Sequence, residues 1–180
     1  MTRLPPDLTH PLTMPDSKQY ATFTLDGLFL GIEVRQVQEV IRYQEMTRVP
    51  LAPTMIQGLI NLRGQIVTAI DLRRRLDLPP RPTGQLPMNV VVRSEDGAIS
   101  LLVDEIGDVV ELPDEAYETP PDTLRGIARE LVTGVYKLPG RLLLILDTER
   151  TVTLPIGYGK TAALTECATA TASLIPSTIS

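Results

Sequence analysis

The segment GLINLRGQIVTAID, residues 58–71, carries the pattern that decides the fold of this chain. It contains a strand, a Gly turn and a second strand whose residues 65–70 are almost continuously apolar, so the second strand should be covered on both faces. The same pattern returns in GVYKLPGRLLLILD, residues 134–147, at an offset of 76 residues. An internal repeat of this kind predicts one structural module that is present twice.

The repeat extends beyond these two segments. VRQVQEVI, residues 34–41, aligns with VDEIGDVV, residues 103–110, at an offset of 69 residues. We therefore expect two copies, at roughly 20–76 and 88–152, that differ in the linker between their first strands and their Gly turn. Five positions are identical at the offset of 76: Gly58/Gly134, Leu62/Leu138, Gly64/Gly140, Asp71/Asp147 and Arg74/Arg150.

Two Asp-Gly pairs predict tight hairpins, one near the start of each copy, because both residues tolerate positive φ in a two-residue turn. These pairs are Asp26-Gly27, between strands at 20–25 and 28–34, and Asp96-Gly97, between strands at 89–93 and 98–103. Asp71 and Asp147 stand at the N-cap position of short helices at 72–76 and 148–152.

These elements predict an all-β fold with short helical turns. A module of about five strands can close into a small barrel, which removes exposed strand edges. The buried strands at 65–70 and 141–146 should form the seam between the two modules. The composition agrees, since 43% of the 180 residues are hydrophobic, only 4% are aromatic, and the Val, Ile and Leu residues fall in short runs that favour strands.

The charge balance weighs against a nucleic-acid-binding barrel. The net charge is −5 and the sequence pI is about 4.9, whereas nucleic-acid-binding surfaces are usually basic. The one basic cluster, Arg73-Arg74-Arg75, is interpreted as a solvated helix face.

Catalytic and metal-binding chemistry is also poorly represented. The one histidine is His10 and the one cysteine is Cys167, both close to the ends of the chain, which removes most His-based catalysis and His/Cys metal sites. The alternative of a hydrolase would rest on carboxylate pairs such as Asp104-Glu105 and Asp114-Glu115. Neighbouring strand residues point to opposite faces, so these are interpreted as solvated surface acids, and no catalytic residue, metal or cofactor is predicted.

The two ends of the chain are predicted to be flexible. Residues 1–17 hold four prolines among polar residues and lack the hydrophobic region of a signal peptide. Residues 153–180 are rich in Thr, Ala, Ser and Gly, which bury too little apolar surface to order a segment. No apolar run reaches the roughly 20 residues that span a bilayer, so a cytoplasmic protein without direct membrane insertion is expected.

Several separate motifs resemble the CheW family of chemotaxis coupling proteins. In that family an Asn-Leu-Arg-Gly turn is followed by an apolar strand that ends in Asp-Leu-Arg, as in residues 58–73 here. Further matching segments are FLGIEV at 29–34, VQEV at 37–40, LVDEI at 102–106 and GRLLLILD at 140–147. The resemblance covers about 18–152 and implies two five-stranded SH3-like barrels packed around a shared hydrophobic seam.

The resemblance also implies a function without catalysis. It implies an adaptor that couples the cytoplasmic tip of a methyl-accepting chemoreceptor to a CheA-type histidine kinase, through the regulatory domain of the kinase. An alternative is a CheW-like coupling protein of a pilus-motility or other non-flagellar system. By motif, the residues associated with receptor contact, or with organising that surface, are Val37, Glu39, Gly58 and Arg63.

Arg63 stands out from the repeat itself. At the offset of 76 its counterpart is Pro139, so one copy carries a long cation at its turn and the other a rigid ring. The guanidinium can pair with carboxylates of a partner or with Glu39, or it can be a solvated turn residue. Two departures from the family, Gln57 before the Gly and Thr68-Ala69 in place of Val-Pro, predict a different receptor preference without harm to the fold.

Overall fold

The computed structural model describes residues 16–153, so most of the predicted leader and tail lies outside the described residues. None of the helices in this part of the chain is long and apolar enough to cross a membrane. In chain order the elements are β1 Ser17–Leu25, β2 Leu28–Glu33, β3 Val37–Ile41, β4 Ile56–Leu62, β5 Gln65–Asp71, α1 Leu72–Arg75, β6 Met88–Ser94, β7 Gly97–Val103, β8 Glu105–Pro113, β9 Tyr117–Glu118, α2 Ile127–Leu131, β10 Val132–Leu138, β11 Arg141–Leu146 and α3 Thr148–Val152.

The strands form two sheets that build two small barrel-like units. One sheet has five strands in the order β3-β6-β7-β5-β4, and the other has six in the order β8-β1-β2-β11-β10-β9. The predicted all-β fold of two barrels with short helical turns is confirmed. The six-stranded sheet exceeds the predicted five because the two-residue strand β9 pairs with β10.

The repeat offsets recur in the strand pairing, but each sheet takes strands from both copies. The first hairpin, β1–β2, lies in the sheet with β8, β10 and β11, whereas the second hairpin, β6–β7, lies with β3, β4 and β5. The strands of the predicted seam provide the link, since β5 runs parallel to β7 and β11 parallel to β2. The two copies are therefore interlocked by exchange of their hairpins.

Residue partners repeat with the same offsets. Val40 pairs with Val90, and their equivalents at the offset of 69, Val109 and Ala21, pair with each other. Across the parallel strands Thr68 pairs with Ile99 and, correspondingly, Leu144 pairs with Leu30. The exchange therefore follows one rule in both halves, although the limits of the copies at 20–76 and 88–152 remain a prediction.

One apolar core joins the two sheets. Its largest cluster takes buried side chains from both, for example Phe23 and Leu30 from the six-stranded sheet and Ile70 and Leu101 from the five-stranded sheet. A second cluster lies within the six-stranded sheet and includes Tyr20 and Tyr136, whose hydroxyl oxygens are 3.3 Å apart. The barrels therefore share buried apolar surface, which is the main stabilising term for such packing.

Most of the predicted turns and caps are present. Asp26 and Gly27 form the first hairpin turn with φ of 49° and 78°. The second turn lies one residue earlier than predicted, because Ser94 pairs with Gly97 and leaves Glu95-Asp96 as the loop. The N-caps are confirmed: a side-chain oxygen of Asp71 accepts from the backbone N–H of Arg73, and one of Asp147 accepts from that of Arg150, both at 3.0 Å.

The interpretation of the basic cluster as a solvated helix face is wrong for two of its three residues. Arg73 and Arg75 are buried, and Arg74 alone is largely exposed. The reason is the position of α1, which has four residues and packs against β5 and β7, so that side chains of a single turn reach different buried partners. Arg75 donates to the backbone carbonyls of Arg150, Thr151 and Thr153 at 2.8–3.2 Å, at the end of α3.

The interpretation of Asp104 as a solvated acid is also wrong. Asp104 is 8% exposed, and its carboxylate accepts from Nε and Nη2 of Arg73, the shorter bond being 2.6 Å. It also accepts from Nε of Arg81 at 3.0 Å and from the backbone N–H of Asp26 at 2.9 Å. Asp104 therefore ties the first hairpin turn to α1 through a buried charge network. Its neighbour Glu105 is exposed, as predicted.

Candidate functional site

The four residues singled out from the sequence all lie in the five-stranded barrel. Val37 and Glu39 are on β3, Gly58 is on β4, and Arg63 occupies the turn between β4 and β5. Because β3 and β4 are the two edges of this sheet, the residues lie where the sheet closes on itself. The structure brings Glu39 and Arg63 into contact and leaves Gly58 buried inside the barrel wall.

The ion pair between Arg63 and Glu39 spans the two sheet edges. Nη2 of Arg63 is 3.0 Å from Oε2 of Glu39, and the two side chains are 82% and 18% exposed. Arg63 and Gly64 hold the turn with φ of 52° and 87°, and the N–H of Gly64 donates to Oδ1 of Asn61 at 2.9 Å. Of the alternatives left open by the sequence, the structure shows the pairing with Glu39, and most of the Arg63 side chain still faces solvent.

The equivalent turn of the second copy has a different shape. Pro139 and Gly140 lie between the paired residues Leu138 and Arg141. Gly140 has a φ of 76°, whereas the proline ring fixes its own φ near −65°. The guanidinium of Arg141 lies 3.8 Å from the ring centroid of Phe29, a cation–π arrangement. The exposed cation held by an edge carboxylate therefore belongs to the first copy.

Exposed apolar side chains lie on the strands that carry or adjoin the ion pair, and the sequence interpretation missed them. Val37 packs against the core, but Val40 on the same strand is 42% exposed and Ile66, beside the turn, is 48% exposed. Their equivalents by the two offsets, Val109 and Leu142, are 58% and 44% exposed. The signal was the recurrence of apolar residues at these positions. Exposure alternates regularly along β3, so Val40 lies on the more exposed side of the strand although it is apolar.

Gly58 is required by the close approach of a neighbouring segment. A Cβ atom at this position would lie 2.7 Å from the carbonyl oxygen of Thr47 and 3.0 Å from Cβ of Met46. This approach permits two backbone hydrogen bonds between Thr47 and Leu59, of 2.9 and 2.8 Å, which attach the segment after β3 to β4. Gly58 therefore helps to close the barrel and offers no surface to a partner.

We expect Gly58→Val to lower the free energy of unfolding by about 1–3 kcal/mol, because the added side chain overpacks against backbone atoms. The same change should release Thr47 from β4. Urea denaturation measures the first effect, and amide hydrogen exchange at Thr47 and Leu59 measures the second. Gly58→Ala serves as the graded control with an intermediate loss. Unchanged exchange protection in Gly58→Val would contradict the role given to Gly58.

The arrangement is suited to recognition by charge and shape. An exposed guanidinium that is oriented by a mostly buried carboxylate can bind a carboxylate of another molecule through its remaining donors. The exposed apolar side chains of Val40 and Ile66, on the adjoining strands, add area that can be buried against a partner. Within residues 16–153 no group of three or more His, Cys, Asp or Glu side chains is arranged to hold a metal ion.

Comparisons with known proteins agree with this picture. The family model described as "CheW-like domain" matches residues 19–155. The chain is 29% identical to the chemotaxis protein CheW of Treponema pallidum, over 81% of this chain and 90% of that protein. It is also 25% identical to Protein PilI of Pseudomonas aeruginosa, over 63% of this chain and 64% of that protein.

A solved structure has the same fold. The crystal structure of the scaffolding protein TtCheW from Thermoanaerobacter tengcongensis superposes with a TM-score of 0.70 at 27% sequence identity. The superposition covers 78% of this chain and 94% of that chain. The family match and the shared fold therefore extend over the same two barrels.

Proposed function

Because this chain belongs to the family of CheW-like domains, we propose that it is a non-enzymatic adaptor of chemosensory signalling. In this proposal it connects a CheA-type histidine kinase, through the regulatory domain of the kinase, to the cytoplasmic tip of a methyl-accepting chemoreceptor. Both connections are made in the cytoplasm. The family match and the two-barrel fold support the adaptor role.

The observation that carries the proposal is the Arg63–Glu39 ion pair. Glu39 is 18% exposed and holds one side of the guanidinium, while Arg63 is 82% exposed and keeps donors free for a second carboxylate. Pre-orientation of this kind lowers the entropy lost on binding. We assign receptor contact to Arg63, and we assign the positioning of that surface to Val37, Glu39 and Gly58.

The mechanism follows from two simultaneous contacts. An adaptor that holds kinase and receptor together raises the local concentration of one at the other, so binding is stronger than either contact alone would give. Coupling of activity also requires that receptor signals change the adaptor–kinase contact, which is a coupling free energy between two sites. The two barrels share one apolar core, so packed side chains connect the two barrels continuously and can carry such coupling.

We expect Arg63→Ala to weaken binding to a receptor cytoplasmic fragment by about tenfold, the loss of a charged hydrogen bond at an exposed surface. The free energy of unfolding should change by less than about 0.5 kcal/mol, because Arg63 is mostly solvated. Isothermal titration calorimetry with the receptor fragment and urea denaturation measure the two quantities. A large loss of stability with unchanged receptor binding would assign Arg63 a structural role instead.

Arg35→Ala is the matched control for this experiment. Arg35 is 77% exposed and forms an ion pair with Glu33. The substitution therefore removes an arginine of similar exposure from a similar ion pair. We expect it to leave receptor binding unchanged. If Arg35→Ala and Arg63→Ala weaken binding equally, the effect is one of overall charge and the assignment of Arg63 is wrong.

A second candidate function is coupling in a pilus-based chemosensory system, which the similarity to PilI favours. The same adaptor contacts would then control surface movement on pili instead of flagellar swimming. A deletion strain separates the two, since loss of swimming bias supports the flagellar system and loss of twitching with normal swimming supports the pilus system.

A further inference from the structure

A cavity of about 450 Å³ opens on the five-stranded barrel, and the adaptor surface around Arg63 does not include it. Its lining contains Gln57 near the start of β4 and Asp71 at the end of β5, whereas Arg63 lies at the turn of the same hairpin. The two places are therefore separated by about six residues of strand, roughly 20 Å. This cavity is cationic, with an apolar rim.

Arg81 is the least exposed of the arginines that line the cavity. Its side chain is 10% exposed, and its Nε donates to Asp104 at 3.0 Å. Its Nη2 is buried without a hydrogen-bond partner, and its Nη1 comes no closer than 3.9 Å to Asp71. Nη2 is therefore a buried donor without a partner, which is costly, and Nη1 has only the long ion pair with Asp71.

The main chain holds Arg81 rigidly. Pro80 and Pro82 flank it in the sequence, and proline fixes the local φ. Nη1 of Arg73 donates to the carbonyl of Pro79 at 2.8 Å and lies 3.4 Å from that of Pro80. The segment before Arg81 is therefore anchored to the buried charge network, so little conformational freedom remains to be lost when a ligand binds.

The charges around the cavity favour an anion. Arg48, Arg74 and Arg81 line it, and Asp71 is the one acidic side chain among the described lining residues. Asp71 is already engaged, since it caps α1 through the N–H of Arg73. The chain as a whole carries −5, so this cationic excess is local. Nη1 of Arg81, which makes no hydrogen bond at the present separation from Asp71, can donate a charged hydrogen bond to a carboxylate.

The rim adds an apolar requirement. Tyr43 and Leu86 are 40% and 63% exposed, and Met46 lies beside them in the lining. Exposed aromatic and aliphatic side chains next to a cation form the usual composition of a protein-binding spot. A ligand that satisfies the whole cavity therefore carries a carboxylate next to an apolar side chain.

We propose that this cavity binds an acidic peptide segment of a protein partner, with the carboxylate on Arg81 and a neighbouring apolar side chain on Tyr43 and Leu86. Arg48 and Arg74 also line the cavity and add attraction for the carboxylate, although Arg74 already donates to the carbonyl of Thr54 and pairs with Asp71. The inference does not depend on the proposed adaptor function, because it identifies the peptide by its chemistry and uses residues distinct from Arg63 and Glu39.

The test is an NMR titration of the full 180-residue chain with the peptide acetyl-Ala-Leu-Glu-Leu-Ala-amide and with its Gln counterpart. We expect saturable shifts at residues of the cavity with the Glu peptide, and binding weaker by about tenfold with the Gln peptide. Equal binding of the two peptides, or shifts spread over the surface, overturns the proposal. Inorganic phosphate is the third probe, and binding as tight as that of the Glu peptide shows a simple anion site and also overturns it.

Variants locate the site. Arg81→Gln should weaken binding of the Glu peptide by about tenfold, and Arg48→Gln covers the case in which Arg81→Gln fails to fold, because Arg48 is exposed. Arg93→Gln, an exposed arginine on β6, should leave binding unchanged. Equal losses in the Arg48 and Arg93 variants contradict the site. Because the binding of a receptor fragment is measured separately with Arg63→Ala, failure here and failure of the adaptor proposal are distinguishable.

Discussion

Asp104→Asn is expected to lower the free energy of unfolding by about 3 kcal/mol, the lower end of the range for breaking a buried ion pair. The substitution leaves the guanidinium of Arg73, whose side chain is 6% exposed, without its main counter-charge. Asp26, 3.4 Å from Arg73 and 39% exposed, remains as a partial replacement, which is why the loss stays at the lower end. Urea denaturation at pH 7 measures it.

The pH dependence gives the same prediction a second readout. Burial alone would raise the pKa of Asp104, but hydrogen bonds from Arg73 and from the backbone of Asp26, with the charges of Arg73 and Arg81, hold it below its ordinary value of 3.8. A carboxyl group with a lowered pKa in the folded state adds stability above its unfolded pKa and loses it as the pH falls through the folded value. The difference between wild type and Asp104→Asn should therefore shrink below about pH 4.

Glu105→Gln is the control, since it removes a carboxylate from the next residue, which is exposed. We expect a change within about 0.5 kcal/mol, as for most surface substitutions. An Asp104→Asn protein as stable as Glu105→Gln at pH 7 would show that the network adds nothing to folding.

Arg75→Met is expected to cost about 2–3 kcal/mol. The guanidinium donates to three backbone carbonyls at the end of α3, and hydrogen bonds from a charged donor are stronger than neutral ones. Burial lowers the pKa of Arg75, and no carboxylate forms an ion pair with it within the described part of the chain. Its main partners are thus the carbonyls at the end of α3, and these hydrogen bonds join α1 to α3.

Arg74→Met is the matched control, because it is the neighbouring arginine of the same helix and is 51% exposed. Chemical denaturation of both variants, followed by tyrosine fluorescence and by circular dichroism, measures the difference. We expect Arg75→Lys to fall between wild type and Arg75→Met. Equal losses of stability in the Arg74 and Arg75 variants would contradict the role of Arg75 in joining α1 to α3.

The repeat made most of the elements predictable. The offset of 76 residues relates β4 to β10, β5 to β11 and α1 to α3, and the N-cap roles of Asp71 and Asp147 followed from the spacing of a polar residue before a short helical pattern. These features are local, so local sequence is sufficient to specify them. The Arg63–Glu39 contact was one of the alternatives that the sequence offered for the turn arginine.

The exchange of hairpins could not be read from the sequence. A repeat makes the strands of both copies equivalent, so pairing of Val40 with Ala21 of its own copy or with Val90 of the other satisfies the same pattern. Only the three-dimensional course of the linkers decides between them. The repeat therefore determines which residues face each other in a strand pair. It does not determine whether the two strands come from the same copy or from different copies.

The buried arginines were mispredicted for a related reason. A run of three arginines before a polar loop is typical of a solvated helix, and the carboxylate and carbonyl groups that accept the hydrogen bonds of Arg73 and Arg75 lie far away in the sequence. Asp104 is 31 residues from Arg73, and Thr151 is 76 residues from Arg75. The role of Gly58 was hidden in the same way, since Thr47 belongs to an irregular segment whose approach leaves no periodic signal.

The interlocked hairpins set an order of events during synthesis of the chain. The five-stranded barrel cannot close until β7, which ends at Val103, has left the ribosome. The hairpin β1–β2 emerges first, but its parallel partner β11 is the last strand to be made. Contacts between residues so distant in sequence form slowly. The nascent chain therefore carries an unpaired strand edge on β2 through most of its translation, the period in which such edges are prone to wrong pairing.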